Sequence, residues 1–348
     1  MAKKRKIVLN VVIGLMIVGG LISYKIYSSI NLSNTSFEED QVELFIPTGA
    51  DEKDLEAMIS PYLKHPKAFM MIAKQKGYLD RIRPGKYTIK KEMSNNEMIN
   101  MLRLKSEPIN VTFNNLDRLD KLAAKIAEQI EADSLSLIQS FQDKDFLSAQ
   151  KFNADTALSM YIPNTYQFYW NTSADEFRDR MLNEYKKYWN SSRIAKAKKY
   201  GLTPTEVYSL ASIVHKESVK ADERPTIAGV YLNRLAKRMK LQADPTVIYA
   251  LRKEADDFDM VIRRVLYKDL KIDSPYNTYK YKGIPPGPIA MPDLSALEAV
   301  LNPKKHDYIF FVADVKNFGY HKFASTLRQH NKNKKEYVAW IEEQKIKR

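Results

Sequence analysis

Residues 202–218 read LTPTEVYSLASIVHKES, and this stretch organises the second half of the chain. Thr203 and Glu206 form a T-x-x-E capping box, and Pro204 occupies the first helical position, where proline is favoured. Apolar residues then recur at helical spacing on one face, which the pattern turns toward a core: Val207, Leu210, Ala211 and Val214. The sequence predicts an amphipathic helix that begins at Pro204 and ends near Glu217.

Glu217 is the candidate for acid–base chemistry. At about 100° per residue it lies on the border of the apolar face, beside Leu210, Ile213 and Val214. A carboxyl group in that position loses part of its solvation, which disfavours the charged form and raises the pKa. A general acid needs such a pKa near neutral pH. The alternative is a half-exposed glutamate on an ordinary helix, and periodicity alone favours that alternative.

The N-terminus predicts a membrane anchor. Four basic residues, Lys3 to Lys6, precede a continuous apolar run from Ile7 to Ile22, which is long enough to span a bilayer. The basic residues keep the N-terminus in the cytoplasm, so the rest of the chain is expected outside. No small-residue cleavage site follows the run. We therefore expect a single-pass protein of the inner (plasma) membrane, with residues 1–27 as cytoplasmic tip and anchor.

Composition narrows the classes of partner. The chain has no cysteine, and its formal charge of +14 becomes +10 without the four N-terminal basic residues. A basic exported domain suits an anionic phospholipid surface or an acidic wall polymer. The expected topology and the lack of a recognised module argue against nucleic acid. The five histidines have no metal-ligand spacing, so we expect neither a metal site nor a cofactor.

The middle of the chain reads as α+β. Residues 28–40 are polar and aperiodic, which is typical of a stalk. Residues 41–106 contain a strand, two helices and a strand, and then a capped helix, an order that resembles a LysM-like βααβ module; such modules often bind N-acetylglucosamine polymers. Residues 107–200 read as a connecting, second α+β region. Residues 201–348 are mostly helical with small β elements, including a helix around residues 256–267 and a strand at 308–312.

Six ordered blocks between residues 210 and 326 carry a resemblance to one family. They are residues 210–218 (LASIVHKES), 227–235 (IAGVYLNRL), 241–249 (LQADPTVIY), 276–279 (YNTY), 283–289 (GIPPGPI) and 321–326 (HKFAST). Together they resemble the MltG/YceG-like endolytic murein transglycosylases, which also show an N-terminal anchor and a LysM-like module. Many relatives have an acidic residue where this chain has His215, which puts a role for that position in doubt.

The resemblance implies that residues 201–348 form a catalytic domain that cleaves the bond between N-acetylmuramic acid and N-acetylglucosamine in nascent glycan strands. The catalytic glutamate of the family falls on Glu217, which would serve as both general acid and general base and leave 1,6-anhydro ends. The residues implied as substrate ligands are Ser218, Asn233, Gln242, Asp244, Thr246, Tyr276, Asn277 and Tyr279.

Two readings of these features stay open. Asp244 precedes a proline, so a turn or cap role is as well supported as a role in chemistry. The chain as a whole is expected to be a lytic transglycosylase whose partners are peptidoglycan strands, the cell membrane and peptidoglycan synthases. The alternative is a non-catalytic peptidoglycan-binding scaffold of the elongation machinery. Glu217 discriminates between the two, because a scaffold does not need it.

Overall fold

The computed structural model describes residues 2–343, which combine helices with three two-stranded sheets. The first half contains α1 (Ala2–Asn31), β1 (Gln41–Ile46), α2 (Glu52–Ile59), α3 (Pro66–Gln75), β2 (Gly85–Lys90), α4 (Asn95–Leu102), β3 (Pro108–Phe113), α5 (Leu119–Ala127), α6 (Ser134–Phe141), α7 (Lys144–Ala149) and β4 (Asn164–Tyr169). The second half contains α8 (Ala174–Tyr188), α9 (Ser191–Lys199), α10 (Pro204–Glu217), α11 (Arg224–Ala236), α12 (Asp244–Glu254), α13 (Leu294–Leu301), β5 (Phe310–Ala313), β6 (His321–Ala324) and α14 (Leu327–Glu343). The mixture of helix and sheet agrees with the predicted α+β class.

The apolar N-terminal segment is one long helix. The most apolar 18-residue stretch of Arg5–Asn31 in α1 has a mean hydropathy of 2.3, and none of that stretch is buried against the rest of the chain. At 1.5 Å per residue these 27 residues span about 40 Å, more than the roughly 30 Å of a bilayer core. The helix is therefore long and apolar enough to cross a membrane. The side chains of Lys3 and Lys4, part of the basic quartet, lie outside what the structure describes.

The predicted stalk requires a correction. α1 continues through Asn31, so the first residues assigned to the stalk are helical. Asn34 and Thr35 are buried, and the Asn34 side-chain amide donates to the Asn95 side-chain oxygen at 2.8 Å. The Asn95 amide in turn donates to the Ser29 carbonyl oxygen at 2.7 Å. Because these polar groups satisfy one another, the segment packs against α4 and is not a free linker.

Residues 41–90 follow the predicted order of strand, two helices and strand. β1 and β2 pair antiparallel, from Gln41 opposite Lys90 to Ile46 opposite Gly85. Their buried side chains, with those of α2, α3 and α4, form one apolar cluster that includes Leu44, Ile46, Leu55, Phe69, Tyr87, Ile89 and Met98. This cluster is the core of the first structural unit.

The described chain divides into two units at places other than the predicted boundaries. The first unit extends to Val111 and includes residues 129–132 and 166–173; the second contains residues 112–128, 133–165 and 174 onward. The predicted connecting region, 107–200, is thus shared between the units. Two short segments return to the first unit through local contacts: Glu131 accepts hydrogen bonds from the Thr48 amide and hydroxyl, both at 2.7 Å, and Trp170 packs on Phe45.

The helix α10 is the centre of the second unit. Its predicted capping box is present, since Thr203 accepts from the Glu206 amide and the Glu206 carboxylate accepts from the Thr203 amide. Every residue from Val207 to Val214 is buried, so the helix is enclosed on all sides and does not have the exposed face that the periodicity predicts. Hydroxyl groups in this buried segment donate hydrogen bonds within the protein: Tyr208 donates to the Tyr161 carbonyl oxygen and Ser212 to the Ser209 carbonyl oxygen.

The predicted helix around residues 256–267 is wrong. α12 ends at Glu254, and Asp256 has a positive φ of 49°, which breaks the helix. The Asp257 carboxylate accepts hydrogen bonds from the amides of Asp259 and Met260, so a side chain replaces the helical backbone acceptor. The short strand predicted at 308–312 is β5, paired with β6, and α14 follows it.

Candidate active site

Glu217 is the last residue of α10 and is only partly exposed. Burial raises the pKa of its carboxyl group to about 7, and the negative charge of Asp244 adds a smaller rise. The Tyr231 hydrogen bond and the electrostatic effects of His321 and Arg234 oppose this rise in pKa without cancelling it. A carboxylate at a helix C-terminus also faces the negative end of the helix dipole. The site therefore holds a carboxyl group that exchanges its proton near neutral pH.

Tyr231 of α11 fixes the orientation of this carboxyl group. Its hydroxyl donates to Glu217 Oε1 at 2.7 Å, and its ring is 1% exposed. The ring of Phe311, from β5, contacts the Tyr231 ring edge-to-face with the centroids 5.9 Å apart. Because Tyr231 is locked by packing, the hydrogen bond holds one oxygen of Glu217 and gives the side chain a defined rotamer.

Arg234, one turn after Tyr231, connects three segments around the site. Its Nε donates to the Ile309 carbonyl oxygen and its Nη1 to the Leu241 carbonyl oxygen, both at 2.6 Å. The side chain is nearly buried, and this burial lowers the pKa of the guanidinium from its usual value. Arg234 therefore ties the β5 hairpin and the loop before α12 to α11, and it also supplies a positive charge near Glu217.

Asp244, Tyr279 and Gln242 lie on the loop side of the same site. Asp244 is the first residue of α12 and its carboxylate accepts a hydrogen bond from the Tyr279 hydroxyl at 2.5 Å. Both side chains interact electrostatically with Glu217, so they lie near its carboxyl group. Gln242 has an exposed side chain and a positive φ of 52°, while its backbone amide donates to the Thr278 carbonyl oxygen. These three residues offer polar groups at the surface of the site.

Two residues predicted as substrate ligands, Asn277 and Thr246, use their side-chain hydrogen-bonding groups within the protein. Asn277 is 0% exposed, its amide donates to the carbonyl oxygens of Leu270 and Ile272, and its side-chain oxygen accepts from the Tyr279 amide. Thr246 is also 0% exposed and bonds to the Thr278 hydroxyl at 2.8 Å. The hydrogen-bonding groups of both side chains are used internally, so the geometry supports a role in shaping the loop.

Asn233, Tyr276 and Ser218 show the same pattern. The Asn233 amide donates to the carbonyl oxygens of His306 and Tyr308, at 2.8 and 3.0 Å. Tyr276 is 1% exposed and its hydroxyl donates to Asp155 at 3.0 Å. The polar groups of these two residues, like that of Ser218 described next, make hydrogen bonds within the protein, and their role as substrate ligands stays a prediction.

Glu223, a buried carboxylate shortly after Glu217, was not among the site residues predicted from the sequence. Glu223 is 6% exposed and accepts hydrogen bonds from the His321 backbone amide and the His321 ring, both at 2.7 Å. Ser218 is 3% exposed and its hydroxyl donates to the same carboxylate at 3.3 Å. Glu223 lies in a mostly charged stretch, residues 220–224 (KADER), and His321 begins one of the six sequence blocks. Nothing in the sequence indicates that these two residues, 98 positions apart, form a pair.

His215, two residues before Glu217, lies beside Asp293. Its Nδ1 lies 3.4 Å from the Asp293 carboxylate, and burial lowers the pKa of the imidazole. Asp293 is also held by Arg224, which donates to it at 3.0 Å and to the Ser218 carbonyl oxygen at 3.1 Å. His215 thus borders an ion pair that supports the turn after α10.

A family model, curated relatives and a solved structure all relate this chain to YceG-like proteins or endolytic murein transglycosylases. The model of the YceG-like family matches residues 44–336. A protein of Bacillus subtilis (strain 168) named endolytic murein transglycosylase is 33% identical over 317 residues, covering 86% of this chain and 85% of its own length. A protein of the same name from Streptococcus pneumoniae serotype 2 is 28% identical and covers 94% of this chain and 64% of its own length. The 2.6 Å crystal structure of a putative YceG-like protein from Listeria monocytogenes superposes with a TM-score of 0.56 at 28% identity, over 85% of this chain and 99% of that one.

Proposed function

This chain belongs to the YceG-like family and is a lytic transglycosylase of peptidoglycan, and we propose that Glu217 is its single general acid and general base. The observation that carries this assignment is the partly buried carboxyl group with a pKa of about 7, held by the Tyr231 hydroxyl at 2.7 Å. Such a group is protonated often enough to donate and ionised often enough to accept near neutral pH.

In the first half of the proposed reaction, Glu217 is the acid. Tyr231 donates to Oε1, and Oε2 has no hydrogen-bond partner within residues 2–343. The proton is therefore carried on Oε2, from which it passes to the glycosidic oxygen as the bond to C1 of the muramoyl residue breaks. The leaving sugar departs as a neutral alcohol, and Glu217 becomes a carboxylate.

In the second half, Glu217 is the base. The carboxylate accepts the proton of the muramoyl C6 hydroxyl while that oxygen bonds to C1, which closes a 1,6-anhydro ring and regenerates the acid. Hydrolysing glycosidases instead use two carboxylates, one for the acid and one for water or a covalent intermediate. The two carboxylates beside Glu217 are engaged elsewhere: Asp244 accepts from Tyr279, and Glu223 accepts from His321. This geometry supports the one-carboxyl mechanism.

The test compares the full chain with Glu217→Gln on purified sacculi. Glutamine has nearly the same shape and removes only the exchangeable proton, so we expect loss of anhydro-ended muropeptides by about 10²-fold or more. Glu254→Gln is the matched control, because Glu254 is an exposed glutamate near the end of α12. Glu217→Gln activity within about threefold of wild type would refute the assignment, since removal of a general acid costs far more.

We propose further that α1 anchors the protein in the plasma membrane with the N-terminus in the cytoplasm. The apolar length of α1 and the basic residues at its start support this orientation. The anchor would hold the site beside the membrane, where peptidoglycan synthases extend their strands. A C-terminal reporter that is active only in the cytoplasm would contradict this topology.

We also propose that residues 41–106 form a LysM-like module that binds glycan. The antiparallel pair β1–β2 with α2 and α3 between them in the chain supports this assignment. A folded variant without these residues should be retained less on insoluble peptidoglycan and still cleave soluble glycan. Loss of all cleavage by that variant would show that the module builds part of the catalytic site.

A further inference from the structure

The buried Glu223 and the partly buried His321 form a pair that has no assigned step in the proposed mechanism. The Glu223 carboxylate accepts from the His321 backbone amide through Oε1 and contacts His321 Nδ1 through Oε2, both at 2.7 Å. Because a carboxylate only accepts hydrogen bonds, the proton of this second contact lies on Nδ1. Three hydrogen bonds, counting the one from Ser218, hold Glu223 in one orientation.

This pair is connected to Glu217 by two routes. Ser218, which follows Glu217 directly, donates its hydroxyl to Glu223. On the other side, the ring of Phe311 contacts both the His321 ring, at 5.1 Å, and the ring of Tyr231, at 5.9 Å. The Tyr231 hydroxyl then reaches Glu217. A substitution at His321 or Glu223 therefore alters contacts of Ser218, which follows Glu217 in the chain, and of the packing around Tyr231, which donates to Glu217.

The proposed reaction creates a need for such a pair. Glu217 must exist as a carboxylate halfway through the cycle, although burial and the C-terminal end of α10 both disfavour negative charge there. The charged and titratable groups that face it are Tyr231 and Arg234 of α11, Asp244 of α12, Tyr279 of the following loop and His321 of β6. The electrostatic interaction with His321 lowers the pKa of Glu217 and so favours its carboxylate form.

We propose that Glu223 and His321 are positioning residues for the transglycosylase reaction: Glu223 orients the His321 ring and the Ser218 turn so that Glu217 is held in place and its carboxylate form is stabilised. The inference rests on the proposed role of Glu217. A purely structural role, in which the pair only ties β6 to the turn after α10, predicts lower stability and no change in the proton affinity of Glu217.

The first experiment measures the pH dependence of cleavage by the full chain with His321→Gln. Glutamine can still donate to Glu223 but has no imidazole ring. We expect kcat to fall about tenfold, KM to stay within about twofold, and the alkaline limb of the kcat profile to move up by about half a pH unit, because the variant loses the His321 interaction that lowers the pKa of Glu217. A profile with unchanged limbs would overturn the proposal.

The matched control is Asp222→Asn. Asp222 adjoins Glu223 and accepts a hydrogen bond from the hydroxyl of Tyr320, which adjoins His321, at 3.0 Å. This contact joins the same two segments, but Asp222 is exposed. We expect Asp222→Asn to leave kcat and the pH profile unchanged. A similar shift in Asp222→Asn would mean that any loosening of these segments produces the effect, which would overturn the proposal.

A double-mutant cycle tests whether the two residues act as a unit. Glu223→Gln should lower kcat about as much as His321→Gln, and the double variant should be no slower than the slower single variant. Additive losses would overturn the pairing. If wild type forms no anhydro ends, or Glu217→Gln stays active, the proposed function itself has failed; if both behave as expected and only the His321 profile is unshifted, this inference alone is wrong.

Discussion

Replacing Tyr231 by phenylalanine tests how the protein sets the acidity of Glu217. The substitution keeps the buried ring and its edge-to-face contact with Phe311, and it removes the hydroxyl that donates to Glu217 Oε1 at 2.7 Å. This hydrogen bond is the largest of the effects that lower the pKa of Glu217 against the rise caused by burial. Without it, we expect the proton of Glu217 to be held more tightly.

The size of the effect follows from the chemistry of the bond. A hydrogen bond to a charged group contributes about 1.5–3 kcal/mol, whereas one to a neutral group contributes about 1 kcal/mol. The difference, about 0.5–2 kcal/mol, favours the carboxylate of Glu217 and corresponds to roughly one pKa unit. The pKa should therefore rise from about 7 by that amount. Since the acid form then persists to higher pH, the alkaline limb of the rate profile should move up by about one unit.

The assay is the rate of anhydro-muropeptide release from sacculi, determined by mass spectrometry. It is measured from about pH 5 to about pH 9, roughly two units on either side of the pKa of Glu217. We expect kcat at the optimum to fall roughly tenfold, because the carboxylate is less stable and less precisely oriented in the base step. Thermal unfolding serves as the control for folding. A limb that stays in place or moves to lower pH, in a variant that is folded, would refute the role given to Tyr231.

Four further measurements on single substitutions test other parts of the structure. Because the pKa of Glu217 is raised from 4.5 to about 7, its protonated form contributes stability that is present below pH 4.5 and lost as the pH rises through 7. Glu217→Gln should therefore raise the unfolding free energy by about 1–2 kcal/mol at pH 8 and by much less at pH 4.5. Equal effects at both pH values would contradict this expectation. Asn277→Ala should lower the unfolding free energy by about 2–3 kcal/mol because the three hydrogen bonds of Asn277 are buried. Gln242→Ala should leave the unfolding free energy within about 0.5 kcal/mol of wild type and raise KM. The opposite pattern in chemical denaturation and kinetics would reverse the two assignments. Gly287→Ala should cost at least about 2 kcal/mol in the same denaturation assay, because a Cβ would lie 2.0 Å from the Asp155 carbonyl oxygen, and a stability equal to wild type would show that the loop yields.

The sequence was informative where local chemistry decides the structure. Thr203, Pro204 and Glu206 predict the start of α10 because capping involves only neighbouring residues. The position of Glu217 on the helix likewise predicts its partial burial and raised pKa. The long apolar run predicts α1 for the same reason, since a helix of that hydropathy needs no tertiary partner to be recognised.

Features that depend on distant contacts could not be read in the same way. Periodicity gave α10 one buried face, but α11 and α13 pack around it and enclose the whole segment Val207–Val214. The orientation of Asn277 depends on the turn that its own side chain stabilises, so its motif indicated importance without direction. Glu223 and His321 pair across 98 positions, and a single sequence carries no signal for such a pair.

The single-carboxyl mechanism is tested most directly by cleavage in ¹⁸O-labelled water. If Glu217 alone transfers the proton and the C6 hydroxyl is the nucleophile, no water enters the product and the new muramoyl end carries no label. Asp244→Asn should slow the reaction without changing this result, because Asp244 is held by Tyr279 and does not activate water. Labelled reducing ends from the wild-type protein would contradict the account and make the enzyme a hydrolase.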